Sequence, residues 1–554
     1  MLGVPNSATL FRLAVLLSLL VAAVVVVVLD RPRGRWGARL RSRFLLGVPW
    51  GTLVTVGVVL AVYLFVQDGW NHWYSPVTIP FRAWSYFYPL GMLTAAFAHF
   101  GPGHLVGNLV GTVVLAPIAE YAWGHFPRER GAQTFTSPLT DPYVRAFVAF
   151  PAAVVAVGLF TAAFALGPVI GFSGAVFAFA GVALVRYPLT TVVAVTAANA
   201  ARTIYGALRT PTVSASAGPS YSSPWWADIA IQGHAIGLLA GVLLGVWIVR
   251  HRAEDRPTAA RVVAGVVLFG VAQSLWAVYW YRGGETYVLY RAAGLALVVL
   301  LATLVAGTVA ASSRPLVATP GRSGRLRAVP RWQVGATVLL LCTAAIAGPA
   351  IPINLMTAES GDLGGQNDPI TVRGYEVTYA ENVPNGMVSV IEVDAFGETT
   401  RVNTSGVIVR NRGRGIWMTA VSKGRLDFTG TTRVRIGGVG WRDSIQVTRT
   451  GWNAIGGPTA YRVRLSHDGR NLTAYTSPPA RADPVVAGRN VSIEATPTGF
   501  SLNVSMGNRS ARAPMPKVNE TASVGGLEFT NVEGRVYAIS GATRVRVARR
   551  ETYE

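Results

Sequence analysis

Lysine is nearly absent from this chain: Lys423 and Lys517 are the only two in 554 residues, so its basic side chains are almost all arginine. Cysteine is scarcer still. The single Cys342 excludes an intramolecular disulfide framework and any cysteine-rich zinc site. Charged residues make up 14%, against roughly 25% in a soluble globular chain. Acids are fewer than bases, 27 against 49, for a net charge of +22. The remainder is apolar enough to give a mean hydropathy of +0.38, which excludes an ordinary soluble enzyme. Such a basic balance also invites a nucleic-acid reading, so the arginines have to be located before their sign is interpreted.

Apolar stretches long enough to span a bilayer core of roughly 30 Å fill the first 356 residues. Ten are expected, near 8–29, 44–67, 92–123, 146–166, 171–185, 188–208, 228–249, 258–281, 290–312 and 333–355. The first reads as a retained helix and not a signal peptide, because its arginine cluster follows the apolar run and no small-residue cleavage site does. Arginine fixes the orientation. Arg31, Arg33, Arg35, Arg39, Arg41 and Arg43 form one group, and Arg128, Arg130 and Arg145 another. Arg186 stands alone; Arg250, Arg252, Arg256 and Arg261 form the next group; Arg314, Arg322, Arg325, Arg327 and Arg331 form the last. If the first helix runs outside to inside, all nineteen face the cytoplasm, and only Arg82, Arg209, Arg282 and Arg291 lie outside. Arg12 and Arg202 fall within helices, as snorkelling or packed side chains. Sixteen of the 22 net positive charges belong to residues 1–356, so the excess is an orientation signal, not a nucleic-acid footprint.

From about residue 357 the pattern becomes alternating segments such as TVRGYEVTYA and TRVRVARR, separated by Gly, Pro, Asn and Asp, as in a β-rich domain. The N-x-[ST] sequons at Asn403, Asn471, Asn490, Asn503, Asn508 and Asn519 all lie there, in keeping with an outside location. Their occurrence without a disulfide network fits an archaeal plasma membrane.

Three polar blocks interrupt the apolar helices, and polar residues inside a membrane are functional candidates. AHFGPGHLVGNL carries His99, His104 and Asn108, the last two sharing a helix face. GPVIGFSGAVFAFAG places Ser173 between Gly171 and Gly174, and IQGHAIGLLAG carries His234, Gly237 and Gly241. Ser173 lies 13 residues before Arg186, His234 16 before Arg250 and Asn108 17 before His125, so all three sit roughly 20–25 Å above the inner face. A serine alone in a membrane helix ordinarily bonds back to its own backbone. Three polar blocks at one depth argue for a site instead.

Gly167 and Pro168 are the only good breakers in residues 146–185, so Ser173 is expected at the N-terminus of a short helix. Free backbone N–H groups and the helix dipole there favour a developing negative charge. His234 is the base that a serine hydroxyl needs. Phe177, one turn after Ser173, is placed to stack on the imidazole, and Gly237 and Gly241 offer a small-residue face for close helix approach. His104 and Asn108 remain as donors to an oxyanion. Glu120 reads as a hydrogen-bonded structural carboxylate, and His72, His125, His251 and His467 are assigned no role.

These blocks resemble the signature of the rhomboid intramembrane serine proteases over roughly residues 44–250. The resemblance implies that Ser173 is the nucleophile and His234 the base, that His104, Asn108 and the Ser173 amide form the oxyanion hole, and that His99 and Glu120 are structural. Gly171, Gly174, Gly237 and Gly241 match its glycine positions. Three departures stand out. Arg82 and Trp84 are separated by Ala83, where the family has Trp-Arg; the residue after the serine turn is Phe177 and not Tyr; and the loop 124–145 is long.

The expected architecture is an all-α polytopic membrane domain, a rhomboid-like six-helix core plus about four extra transmembrane helices, followed by a C-terminal β-rich extracytoplasmic domain. Its parts are 1–43 (first helix and arginine-rich segment), 44–250 (core), 251–356 (three further helices) and 357–554 (β-rich domain). The expected function is endopeptidase cleavage in or near transmembrane segments of membrane-protein substrates by a Ser-His dyad, with the loop 209–227 as a mobile cover. No metal, organic cofactor or nucleic-acid partner is implied; the bilayer is the solvent, and the β domain's partner is left open. A catalytically inactive rhomboid-like protein that escorts membrane clients is the main alternative. A transporter is disfavoured by the lack of a repeated half or charge relay.

Overall fold

The computed structural model describes residues 7–30, 35–127, 137–215, 218–252, 255–312, 329–355, 363–389, 394–395 and 397–554. They fall into two compact units. One takes in the chain to Gly218, Pro224–Tyr279 and Leu289–Leu355; the other takes in Pro219–Ser223, Trp280–Val288 and the chain from Met356 onward.

The first unit is helical. Helices α1 (Ser7–Asp30) and α2 (Arg35–Arg43) precede α3 (Trp50–Ala61), which widens into a π turn as far as Val66. A short α4 (Pro89–Thr94) leads to α5 (Pro102–Trp123), and α6 (Pro142–Val144) runs through another π segment into α7 (Phe150–Ala163). Then come α8 (Ser173–Arg186), α9 (Pro188–Arg209), α10 (Ile231–Arg252), α11 (Ala259–Ala272), α12 (Arg291–Ala310), α13 (Arg331–Ala347) and α14 (Ala350–Leu355). Among the described residues, six helical stretches are long and apolar enough to cross a membrane: Ser7–Leu29, Pro102–Trp123, Pro142–Ala163, Ile231–Arg252, Arg291–Ala310 and Arg331–Leu355. Trp50–Val66, Ser173–Arg186 and Ala259–Ala272 are shorter apolar helices. The chain is a multi-pass membrane protein.

Helix α8 is the centre of this unit. Every residue from Gly174 to Val185 is buried, as expected of a helix apolar on all sides. Its 14 residues extend only about 21 Å, too short for a full crossing. Helices α5, α7, α9 and α10 surround it.

Two expected spans end differently. The stretch 92–123 becomes helical across its length only from Pro102, because Gly101-Pro102 restarts the helix with proline in its first turn. The stretch 258–281 stops at Ala272; Tyr279–Gly283 and Thr286–Leu289 instead pair as a hairpin about Gly283 and Gly284, both at positive φ. Its concentration of aromatic and β-branched residues (Tyr279, Trp280, Tyr281, Thr286, Tyr287, Val288) favours extended backbone over helix. Arg12 donates to the carbonyls of Leu208 (2.9 Å) and Arg209 (3.2 Å) at the end of α9, and Arg202 donates to Gly107 on α5 (3.3 Å), so both helix-borne arginines satisfy backbone carbonyls. Arg31, Arg33, Arg128, Arg130, Arg314, Arg322, Arg325 and Arg327 lie outside the described residues.

The second unit is β-rich and its strand pairs are antiparallel. Its largest sheet has eight strands around the long strand Trp441–Ala454, which pairs with Thr431–Gly438, Thr459–His467 and Thr543–Arg550. A four-stranded sheet is built from Ile370–Val372, Tyr375–Pro384, Asn403–Asn411 and Ile416–Ser422, and another from Ala480–Arg481, Asn490–Ala495, Phe500–Met506 and Arg509–Pro514. The hairpin 280–288 is held within this unit by Arg282, whose guanidinium donates to both carboxylate oxygens of Glu398 at 2.8 and 2.5 Å.

Candidate active site

Helices α8 and α10 meet backbone to backbone. A Cβ added at Gly237 would lie 2.1 Å from the Gly174 carbonyl oxygen, and one at Gly241 would lie 2.0 Å from that of Ala178. Gly181 returns the contact, its Cβ position lying 2.3 Å from the Leu238 oxygen. The repeat of four on both helices, Gly174 with Gly237 and Ala178 with Gly241, makes the two helices run in the same direction in register. Ser173, immediately before Gly174, and His234, one turn before Gly237, therefore arrive at the same end of the pair. Both line one cavity, together with Gly171, Thr161, Ala96 and Gly233. The rest of the wall is mostly small side chains, with Val169 and Ile170.

The His234 ring stacks on Phe177, with centroids 4.2 Å apart and planes 9° from parallel. Phe177 is in turn backed edge-on by Phe269 of α11 at 5.7 Å. The His234 Nδ1 is buried and has no hydrogen-bond partner among the described residues, so ring packing, not a carboxylate, holds the imidazole.

At the cavity's edge with α5, Gly171 adopts φ +130° and its N–H donates to the Ala95 carbonyl at 2.8 Å. A Cβ there would fall 2.5 Å from His104 Cε1 and 3.6 Å from Asn108 Nδ2, so the absence of a side chain lets both polar groups of α5 close on the start of α8. Asn108 donates through Nδ2 to His99 Nε2 at 3.0 Å, which leaves its second N–H free for another acceptor. His99 is fully buried. Its backbone N–H donates to Gln67 Oε1 (2.7 Å), and Gln67 Nε2 donates to the carbonyls of His99 and Val77, both at 2.9 Å. Beyond His104 lies Phe100, stacked on it at 5.7 Å, with the Arg82 guanidinium 4.6 Å from the Phe100 centroid. The site thus gathers Ser173, Gly171, Gly174, His234, Phe177, His104, Asn108 and His99.

Glu120 is elsewhere. Its carboxylate accepts from the N–H groups of Gly51 and Thr52 (both 2.8 Å), from Thr52 Oγ1 (2.7 Å) and from His125 Nε2 (2.6 Å), capping the first turn of α3. His125, assigned no role from the sequence, is wholly buried, and its Nδ1 accepts from the Leu45 N–H at 2.8 Å. Gln67 and Gln232 carry no motif in the sequence; each is a polar side chain beside an apolar run, the one signal that marks them. In the loop 209–227, residues 216–217 lie outside the described residues, while Trp225 packs edge-on to Trp276 and Trp226 lies against Tyr279. In the second unit, Asp443, His467 and Asp468 bring possible ligand atoms within 4.8 Å, with Asp443 and His467 already bonded to each other at 2.9 Å.

A helical membrane bundle whose buried centre presents a serine at a helix start beside a packed histidine defines a narrow class. Residues 81–251 match the family model of the Rhomboid domain, a segment that contains all the polar groups of the cavity. None of the curated proteins and none of the solved structures matches the chain. The chain thus carries a Rhomboid domain at residues 81–251, with the α11–α14 helices and β-rich unit beyond it.

Proposed function

We propose that this protein is an intramembrane serine endopeptidase acting on transmembrane or juxtamembrane segments of other membrane proteins. The observation that carries the reading is that one cavity is lined both by Ser173 at the start of α8 and by His234, which is stacked on Phe177. In this reading the substrate enters sideways from the bilayer and unwinds locally, since a hydrogen-bonded helix hides its carbonyls. Ser173 Oγ attacks the scissile carbonyl while the His234 imidazole takes its proton. The oxyanion forms among the Ser173 N–H, His104 and the free N–H of Asn108, where fixed donors in a water-poor site act strongly. His234 then protonates the leaving amine, and water repeats the sequence to release the acyl group. A Ser-His pair suffices here because stacking orients the ring that a third carboxylate would otherwise hold.

The topology supports the same proposal. The arginine count puts the loops containing 219–223 and 280–288 outside, and both fold within the unit that holds residues 363–554. In this reading the β-rich unit and its sequons lie on the outer side, in keeping with an active site in the outer half of the membrane. The domain divisions at 43, 250 and 356 belong to this proposal too.

The test is covalent labelling of the purified protein by a serine-directed fluorophosphonate, with Ser173→Ala as the control. Labelling of the wild type that Ser173→Ala abolishes supports the protease. An intact wild type that takes no label favours the inactive, client-binding alternative.

A further inference from the structure

The helices after the Rhomboid match reach back to the reacting end of the core. Gln232, two residues before His234, makes three hydrogen bonds: its Oε1 accepts from the Leu166 N–H at 2.8 Å, and its Nε2 donates to the carbonyls of Phe164 (2.9 Å) and Ile346 (2.8 Å). Phe164 and Leu166 begin the short connection that ends at Ser173. Ile346 lies in the last turn of α13, where a carbonyl has no partner within its own helix. One amide therefore ties together the start of the histidine helix, the approach to the serine helix and the end of an accessory helix.

A second tie lies one element further along. Asn354 of α14, only 1% exposed, donates through Nδ2 to the Ala163 carbonyl (3.1 Å), the last residue of α7. Its own carbonyl accepts from the Tyr86 N–H (3.0 Å) and Ser85 Oγ (3.2 Å), and Tyr86 Oη donates to the same Ala163 oxygen at 2.7 Å. The connection 164–172 is thus fixed at its entry by Gln232 and Asn354 and at its exit by the Gly171–Ala95 bond.

We infer that Gln232 is a positioning residue for the Ser173–His234 pair, and that α13 and α14, outside the Rhomboid domain, are working parts of the catalytic scaffold through Ile346 and Asn354. The inference rests on the serine-protease reading. Without the Gln232 amide, the approach to Ser173 and the start of α10 lose their common anchor. The nucleophile and base then shift relative to each other while substrate contacts elsewhere persist, so kcat falls and KM does not.

The experiment compares full-length wild type, Gln232→Leu, Gln232→Glu, Asn354→Ala and Ser173→Ala in proteoliposomes. It follows the fluorophosphonate labelling rate, kcat and KM for a transmembrane-peptide substrate, and thermal unfolding. Gln232→Leu, close to isosteric but without the three bonds, is expected to slow labelling and lower kcat by about tenfold or more, with KM little changed. Gln232→Glu keeps the acceptor for Leu166 but loses both donors and is expected to be impaired as well; Asn354→Ala should show a smaller loss of the same kind. Labelling losses that merely follow the unfolded fraction overturn the inference. So does a labelled wild type whose Gln232 variants label at an equal rate. A folded wild type that is never labelled instead overturns the protease reading beneath it.

Discussion

The imidazole of His234 lies flat against the ring of Phe177, 9° from parallel at 4.2 Å, and its buried Nδ1 meets no hydrogen-bond partner among the described residues. Orientation of this imidazole is therefore a packing property. Replacing Phe177 by Leu keeps the volume roughly but removes the flat face, which is worth on the order of 1 kcal/mol. The expected outcome is a kcat lower by about fivefold to tenfold with KM retained, while Phe177→Tyr stays near wild type. Steady-state cleavage of a transmembrane peptide by the three proteins checks this.

Gly237 offers a sharper perturbation. Even Gly237→Ala puts a methyl 2.1 Å from the Gly174 oxygen, so α8 and α10 must separate or tilt. A loss of about 1–3 kcal/mol of stability is expected from overpacking, with a larger relative loss of Ser173 labelling. Thermal unfolding and labelling measured on the same preparation separate the two. Wild-type behaviour in both would show that the seam relaxes freely.

Gly171→Ala tests the wall of His104 and Asn108. A φ of +130° disfavours any L side chain, and the added methyl would lie 2.5 Å from the His104 ring. Displacing one oxyanion donor costs about 100-fold in kcat or more. The expected variant folds, still binds substrate and cleaves at about 1% of the wild-type rate or below. Undiminished kcat would remove His104 from the proposed oxyanion hole.

Glu120 should behave differently from every residue of the cavity. Glu120→Ala strands two backbone donors of α3 and the His125 Nε2–H, and each buried donor left unsatisfied costs about 1–3 kcal/mol. The melting temperature is expected to fall substantially, yet well below the transition the folded fraction should label at Ser173 as fast as wild type. Slow labelling of fully folded protein would give Glu120 a part in catalysis.

The second unit carries its own pH response. Burial alone would raise the carboxyl of Glu381, but hydrogen bonds from Tyr461 and Tyr379 and the ammonium of Lys423, 2.9 Å away, outweigh it and hold the group below the usual glutamate range. A depressed carboxyl stabilises the fold above its unfolded value, near 4.3, and that contribution is lost as pH falls through the lower folded value. Protease resistance of the second unit in the intact protein should be level above about pH 5 and decline below about pH 4. Glu381→Gln should be less stable at neutral pH and show a flatter acid decline. An unchanged pH profile in that variant would assign the acid response to other carboxylates.

Sequence carries most where the signal is local or periodic. Depth along a helix depends on residue count alone, so Ser173, His234 and Asn108 were grouped by arithmetic, and the four-residue spacing of Gly237 and Gly241 pointed to a close helix face. The partners that loops bring together left no such trace. Gln67 reaches His99 across 32 residues, and Gln232 reaches Ile346 across 114. Neither spacing has a period. The end of α11 is not legible because hydropathy does not separate an aromatic hairpin from a helix; the aromatic and β-branched enrichment of YWYR and TYVL does, but only over a few residues.

Between α8 and α10 the contact is main chain on main chain, with no side chain standing between Gly174 and Gly237 or between Ala178 and Gly241. The backbone separation of Ser173 and His234 is consequently not set by rotamers, which hop independently of one another. It is a dimension of the scaffold, as fixed as the width of a helix, and it changes only when two helices move as whole bodies. Substitutions along that seam should therefore leave few intermediate rates: the cavity is either assembled or it is open.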